Sequence, residues 1–179
     1  MNNALADIIH ALFDVACFLF LARFILQASR ADFYNPVSQG IVKVTDPILR
    51  PLRIVIKGFR NFDIAAFLTA WLVQVLAYAL ADHLSPGDLA VYGLYHLLQL
   101  LLGLYSFALI IVIVLSFVAP TGSYHPVAEL LSQVTEPLLA PARRLMPAVG
   151  GLDFSPTIVF LILMLMRNYL LPAIFTSLF

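Results

Sequence analysis

A few charged and titratable side chains lie inside long apolar runs of this sequence. His10, Asp14 and Arg23 fall in the first run, His96 in a later run and Arg167 in the last. His10 and Asp14 are four residues apart, a spacing that places two side chains on the same face of a helix. Charges within an apolar run are costly and usually face other protein groups. These five residues are therefore the first candidates for binding or proton chemistry.

Arg167 and Asp14 are the strongest pairing candidates. Arg167 lies roughly 16 Å along a helix from the nearest loop, too deep to extend easily to water. Asp14 is the only acid well inside a run, so a structural Asp14–Arg167 ion pair is the first interpretation. A solute or proton path lined by these two residues, His10 and His96 is the alternative, and two opposed histidines could also ligate haem iron.

The chain has no motif that indicates catalysis. Zinc-ligand spacings, a nucleophile elbow and a phosphate-binding loop do not occur in the sequence. We therefore expect no catalytic residue, no metal site and no cofactor, and we expect that the protein is not an enzyme.

The composition indicates that lipid surrounds most of the chain. Its 179 residues are 62% hydrophobic and 11% charged, whereas a soluble domain carries roughly 25% charged residues. A bilayer requires roughly 20 apolar helical residues to cross it, and the runs at about 4–29, 63–83, 89–119 and 156–178 are long enough. The net charge is zero, so no field favours nucleic acid. The sequence predicts an all-α membrane protein with four transmembrane helices.

Basic residues predict the orientation of these helices. Two of them, Arg23 and Arg167, fall in apolar runs, and the others lie in the two long loops: Arg30, Lys43, Arg50, Arg53, Lys57, Arg60, Arg143 and Arg144. Short loops rich in lysine and arginine remain cytoplasmic. Both long loops should therefore be cytoplasmic, with both termini on the opposite side.

The two long loops contain near-copies of one motif. TDPILRPLR occupies residues 45–53 and TEPLLAPAR occupies residues 135–143. Two predicted spans separate the copies, so both copies point the same way through the membrane. This arrangement indicates two parallel repeats, 1–84 and 85–179, as in one class of transporters. A duplication retained only for folding is the alternative.

Each motif is expected to form an amphipathic helical hairpin that lies flat in the cytoplasmic interface. Apolar residues recur every three or four positions, as at Val37, Ile41 and Val44, which is typical of an amphipathic helix. A residue before proline avoids the helical conformation, so Asp46 and Glu136 should each break their helix in two. Asp46 can cap the second part.

An arginine precedes an aspartate by the same interval in both copies. Arg53 is followed by Asp63, and Arg143 by Asp153, at the entries of the second and fourth spans. We expect each aspartate to pair with the arginine of its own loop, and Ser155 to cap the fourth span. The structural or partner-binding candidates are Thr45, Asp46, Pro47, Pro51, Arg53, Asp63, Thr135, Glu136, Pro137, Pro141, Arg143 and Asp153.

The paired motifs and their flanking residues form a specific combination. It comprises YNP (34–36), TDPILRPLR and Asp63 in the first half, then YHP (124–126), TEPLLAPAR and GLDFSP (151–156) in the second. This combination resembles the YGGT family of small membrane proteins in its two-repeat bacterial form. The resemblance implies a bacterial inner-membrane protein and establishes no enzymatic activity. With the orientation expected from the basic residues, both termini would be periplasmic. It also suggests links to cytochrome maturation, cell division or envelope organisation, and osmotic stress.

Two functions remain open at this point. A scaffold or assembly factor would use the interfacial hairpins to bind a membrane or cytoplasmic protein and anionic lipid headgroups. An ion or small-solute transport component would use Asp14, Arg23 and Arg167, and four spans would then require a homo-oligomer. Loop one, with Arg50 where loop two has Ala140, is the more basic surface.

Overall fold

The chain folds into helices that follow the four predicted apolar runs. The computed structural model describes residues 3–82, 84–118, 125–145 and 153–177. Tyr124 and residues 151–152 of the predicted motifs lie outside these ranges. The helices are α1 (Asn3–Ala28), α2 (Pro36–Val55), α3 (Ile64–Ala81), α4 (Pro86–Val118), α5 (Pro126–Leu145), α6 (Ser155–Leu165) and α7 (Leu171–Thr176), with a π-helical turn at Met166–Leu170 joining the last two.

Four of these segments are long and apolar enough to cross a membrane. They are Ala4–Ala28, Ile64–Ala81, Pro86–Leu115 and Ser155–Thr176. Each coincides with one of the apolar runs chosen by length alone. The predicted all-α class with four candidate spans is confirmed.

Contacts divide the chain into two units. The first lies within Met1–Ala28 and Gly40–Leu101, and the second within Ser29–Gln39 and Leu102–Phe179. The first unit therefore holds α1, most of α2, α3 and the first half of α4. The repeat boundary between residues 84 and 85 describes the sequence and stays a prediction.

Helices α1 and α3 pack antiparallel in the first unit. Residue numbers rise along α3 as they fall along α1: Phe24 contacts Phe67, and the Cys17 thiol lies 3.7 Å from the Ala70 carbonyl oxygen. Along this contact α3 buries mostly small side chains, namely Ala65, Ala66, Thr69, Ala70, Ala77 and Ala81. Small residues let helix backbones approach closely, which favours association in lipid.

Helices α2 and α5 are each continuous, so the predicted breaks at Asp46 and Glu136 are wrong. Both prolines of each motif lie inside a helix, and the expected hairpin of two short helices is one helix of 20 residues. Each proline removes one backbone hydrogen bond. Both helices nevertheless remain continuous, because tertiary contacts stabilise them and outweigh the local preference for a break before proline.

Buried side chains at matching positions hold the two helices. Leu49 and Leu139 are almost fully buried, and so are Thr45 and Thr135. Each threonine hydroxyl donates to the carbonyl oxygen four residues earlier, at 2.7 Å in α2 and 2.9 Å in α5. The motif thus turns a threonine and a leucine inward in both copies.

The apolar stripe predicted for α2 lies on its exposed side. Val37, Val44 and Ile48 are 38%, 57% and 50% exposed. The opposite side carries the buried Thr45 and Leu49. An apolar helix face beside membrane spans is suited to contact lipid or another membrane protein.

The fourth span is interrupted by the π-helical turn that contains Arg167. The amide of Leu171 donates to the carbonyl of Met166, five residues earlier. The next residue, Pro172, has no amide hydrogen, and its ring would crowd the carbonyl of Asn168 in a regular α-helix. The wider turn relieves this conflict, and such turns often occur at functional positions.

The start of α6 differs from the prediction that Ser155 caps it. Ser155 is the first residue of the helix, and its amide donates to Asp153 Oδ1 at 2.9 Å. Its own hydroxyl is buried and makes no hydrogen bond within the described part of the chain. The aspartate two residues earlier therefore satisfies the free amide, because a carboxylate is a strong acceptor at a helix start.

We expect Gly93→Ala to loosen the contact between α3 and α4. A Cβ at Gly93 would lie 2.8 Å from Cγ2 and 3.0 Å from the backbone nitrogen of Val75. Overpacking of this kind costs about 1–3 kcal/mol, so the thermal unfolding midpoint in detergent should fall. The control is Gly40→Ala in α2, where nothing lies within 4 Å. It should stabilise by about 0.5–1 kcal/mol, and equal effects of the two changes would contradict the packing described here.

Candidate functional site

Asp63 joins the loop helix α2 to the span α3. Its Oδ1 accepts the amide of Ala66 at 3.2 Å as the cap of α3. Its Oδ2 accepts from the Arg53 guanidinium near the end of α2. The Asp63 side chain is 3% exposed. The predicted Arg53–Asp63 pair is confirmed, and it ties α2 to the first turn of the span.

Asp46 lies inside α2 with three arginines around its carboxylate, and it does not cap a helix. Its carboxylate lies 3.0 Å from Arg50 Nε, 3.6 Å from Arg53 Nη1 and 3.8 Å from Arg23 Nη2. Arg23 belongs to α1 and is 8% exposed. Asp46 therefore links α2 to α1, as Asp63 links it to α3. We call Arg23, Asp46, Arg53 and Asp63 the α2 clamp.

The second copy makes the equivalent pair at a more open position. Arg143 Nε donates to Asp153 Oδ2 at 2.8 Å, and its Nη1 donates to Glu136 Oε2 at 2.7 Å. The predicted Arg143–Asp153 pair is confirmed. The Asp153 and Arg143 side chains are 36% and 42% exposed, so solvent weakens this pair relative to the one at Asp63.

The ion pair of the second copy shifts the pKa of both partners. The hydrogen bond to the Asp153 carboxylate raises the pKa of Arg143. Partial burial acts to raise the pKa of Asp153, but hydrogen bonds from Arg143 and Ser155 outweigh it, so this pKa is lowered. The carboxylate form is therefore the one that holds α5 to the start of α6.

A short turn after α2 was not recognised in the sequence. Phe59 and Phe62 exchange backbone hydrogen bonds of 3.1 and 2.9 Å around Arg60, whose φ is 53°. The Arg60 guanidinium lies 6.0 Å from the Phe59 ring centre. The signal was the glycine at 58 and the asparagine at 61, which are typical turn residues.

This turn continues an exposed apolar and basic surface. Ile54, Val55 and Phe59 are 80%, 82% and 64% exposed. Lys57 and Arg60 are exposed beside them. We call the exposed side of α2 from Val44 onward, together with this turn, the α2 surface.

The titratable residues of the spans form a network in the first unit. Asp14 Oδ1 accepts from Gln74 Nε2 at 2.9 Å and lies 3.0 Å from His96 Nε2. The Tyr78 hydroxyl lies 3.4 Å from His96 Nδ1. His10 Nε2 lies 3.1 Å from Asp82 Oδ2. The structure thus brings together three of the five candidates chosen from the sequence.

The network adds a residue that sequence reasoning missed. Asp82 directly follows α3 and reaches back to His10, and only the antiparallel packing of α1 and α3 shows this contact. Both histidines direct Nε2 to a carboxylate, which is not the arrangement of two opposed haem ligands. Among the described residues, no group of three or more histidine, cysteine or acidic side chains could hold a metal ion.

Arg167 lies in the second unit, in a groove of about 280 Å³ whose lining includes Gly103, Ser106 and Asn168. A Cβ at Gly103 would stand 3.0 Å from Arg167 Nη1. Glycine at this position therefore leaves room for the guanidinium. The expected Asp14–Arg167 pair stays a prediction.

We predict that Asp63→Asn destabilises the protein far more than Asp153→Asn. Asparagine can still cap a helix, so both changes mainly remove the charge. Breaking a buried pair costs about 3 kcal/mol, whereas an exposed pair contributes about 1 kcal/mol or less. Thermal unfolding in detergent measures both. Equal losses would mean that the two pairs have the same environment.

Acid should release the Arg143–Asp153 pair of the second copy. Because its pKa is lowered in the folded protein, the Asp153 contribution is complete above about pH 4, the unfolded value, and is lost as the pH falls through the folded value. The difference in unfolding midpoint between wild type and Asp153→Asn should be constant from pH 8 to pH 5 and should disappear toward pH 2. A difference that already changes at pH 6 would point to another titrating group.

Comparison with known proteins places this architecture in a family. The CCB3/YggT family model matches residues 2–84 and again residues 91–174. An uncharacterized protein of Pseudomonas aeruginosa is 42% identical over 174 residues, covering 92% of this chain and 87% of its own. The uncharacterized protein YggT of Escherichia coli K12 is 34% identical over 191 residues, covering 98% and 100%. No solved structure matches the chain. Since the family model matches both halves, the chain belongs to the CCB3/YggT family.

Proposed function

We propose that this protein is a non-enzymatic membrane scaffold or assembly factor that docks partners on the α2 surface. The observation that carries this proposal is the two-sided character of α2. One side is held by the buried Thr45 and Leu49 and by the α2 clamp. The other side leaves Val44, Ile48 and Ile54 at least half exposed.

A clamped helix is a favourable docking element. Binding costs less when the surface is already ordered, because little conformational entropy is lost. Buried ion pairs to α1 and α3 hold α2 in one position relative to these spans. The exposed apolar residues then supply contact area without a rearrangement of the helix.

The charge of the α2 surface indicates the chemistry of its partners. Arg50 is 78% exposed, and Lys57 and Arg60 follow it. Basic residues beside an apolar helix face attract anionic lipid headgroups. We propose that the surface lies in the cytoplasmic interface of a bacterial inner membrane, with both termini periplasmic. There it would contact anionic headgroups and a membrane or cytoplasmic protein.

The resemblance to the YGGT family indicates the cellular processes in which such a scaffold would act. Maturation of a membrane complex, such as a cytochrome, or organisation of the division site and envelope both require proteins that hold others at the membrane. The first repeat is the better candidate for this contact because Val134, the counterpart of Val44, is buried in the second.

Pull-down from native membranes after chemical cross-linking tests the docking surface. The double change Ile48→Ser and Ile54→Ser should abolish capture of partners that the wild-type chain retains, since it removes apolar contact area without touching the clamp. The matched control is Leu145→Ser, which alters a residue of α5 that is 84% exposed. Capture should survive this control.

A second candidate, ion or small-solute transport by a homo-oligomer, is favoured by the polar network of the spans. Liposome flux separates the two functions. Flux through the wild-type protein that Asp14→Asn, Arg23→Gln or Arg167→Gln abolishes would support transport. If the α2 change also left capture intact, the scaffold proposal would be wrong. Absence of flux, with capture lost on the α2 change, supports the scaffold.

A further inference from the structure

The polar network occupies the end of the first unit opposite the α2 clamp. Asp63 caps the start of α3, whereas Asp82 directly follows its last residue. From Asp82 to Gln74 the network extends about 12 Å along α3. It consists of two imidazole–carboxylate pairs, the outer pair His10–Asp82 and the inner pair Asp14–His96.

Tyr78 lies between the two pairs. Its hydroxyl is 3.4 Å from His96 Nδ1, and its ring packs edge-on against His10 with centres 4.7 Å apart. Nδ1 of His10 is buried and has no hydrogen-bond partner within the described residues. When Nε2 carries the hydrogen that is bonded to Asp82, Nδ1 is the basic nitrogen of this imidazole and can take a proton.

The charge balance around the network favours proton binding. The parts of α1, α3 and α4 at this end of the unit contain acidic residues but no lysine or arginine. They are the described stretches 3–22, 70–82 (which includes the residue after α3) and 86–101. Two carboxylates with neutral imidazoles would leave two negative charges beside hydrocarbon, where an uncompensated charge is costly. One proton on each pair removes both charges. The titratable groups at this end are Asp7, His10, Asp14 and Cys17 on α1, Tyr78 on α3 with Asp82 directly after it, and Asp88, Tyr92, Tyr95 and His96 on α4.

The network stops below the inner pair. Cys17 and Leu21 follow Asp14 on α1 and are fully buried, as is Ala70 on α3. Among the described residues, polar side chains continue from the inner pair through Tyr78 and His10 to Asp82, whereas Leu21 and Ala70 on the side of the α2 clamp have apolar side chains. The Asp82 end is therefore the side with polar groups that can carry a proton to the inner pair.

We propose that the first unit contains a one-sided proton-binding site. The inner pair Asp14–His96 is the acceptor, and the outer pair His10–Asp82 is the entry. A proton from water adds to the basic nitrogen of His10. Tyr78 then passes its hydroxyl proton to His96 and receives the proton of His10 in exchange, so one proton reaches the inner pair and the outer pair can then bind a second. On the predicted orientation the entry faces the periplasm.

This proposal is independent of the docking surface. It specifies the proton as the ligand of the network and requires no passage across the membrane. The site binds and releases protons on one side, so it needs no oligomeric pore.

Proton uptake by the purified full-length protein tests the proposal. In unbuffered detergent solution, acidification from pH 8 to pH 5 should add about one proton fewer per chain to Asp14→Asn than to wild type. The same loss is expected for Asp82→Asn, and about two protons for the double variant. Asp7→Asn, outside both pairs, is the control and should match wild type. Unchanged uptake in the single variants would overturn the proposal.

The role of Tyr78 is tested by rate rather than by amount. In a stopped-flow pH jump, Tyr78→Phe should leave the total proton uptake unchanged. The second phase of uptake, which is the transfer to the inner pair, should slow at least tenfold. An unchanged rate would overturn the pathway. If Arg167 rather than His96 supplied the counter-charge of Asp14, His96→Gln would leave uptake as in wild type. Arg167→Gln would then increase it, and either result would also overturn the proposal.

The docking proposal can fail separately from this one. The double change Ile48→Ser and Ile54→Ser should leave proton uptake unchanged, because those residues belong to α2. Conversely, partner capture by Asp14→Asn should equal that of wild type. Loss of uptake in the α2 variant would mean that the two sites are not independent and would contradict the proton site as described.

Discussion

The need to neutralise charge beside hydrocarbon governs the first unit of this protein. Asp63 is almost fully buried at the start of a span, and it is tolerated because the Arg53 guanidinium and the Ala66 amide both bind it. An isolated buried charge would cost several kcal/mol. Detaching α2 from α3 would therefore leave the Asp63 carboxylate without its arginine and would incur this cost. The position of α2 and the orientation of its exposed face both depend on that contact.

Both copies of the motif contain an arginine–aspartate pair, but the two pairs differ in strength. Asp153 also receives an arginine, but both partners are partly exposed. The second copy instead packs α5 through a small apolar cluster in which Leu139 meets Leu109, Val159 and Leu163. The Asp63 pair of the first copy is buried, whereas the Asp153 pair of the second is partly exposed. Leu49 and Leu139 are buried in both copies, but Val134 is buried where its counterpart Val44 is 57% exposed.

Proline was the residue that most misled interpretation of the sequence. The preference of a residue before proline is a local property of the backbone. The burial of Leu49 and the Thr45 hydrogen bond are tertiary properties, and they keep α2 helical through Pro47 and Pro51. The ion pairs of Asp46 depend on this outcome. A break would have made it a cap, whereas a continuous helix places it among arginines.

Length and apolarity alone determined the four spans, because the bilayer thickness imposes a minimum helix length on any chain. The sequence also determined both arginine–aspartate pairs, since an equal interval in two copies is a strong constraint. Only the tertiary structure decided which face of α2 is buried, that Asp82 reaches His10, and that Asp14 binds Gln74 and His96. These contacts join residues 60 or more positions apart. No local pattern encodes them, because they arise only when α1 packs with α3 and α4.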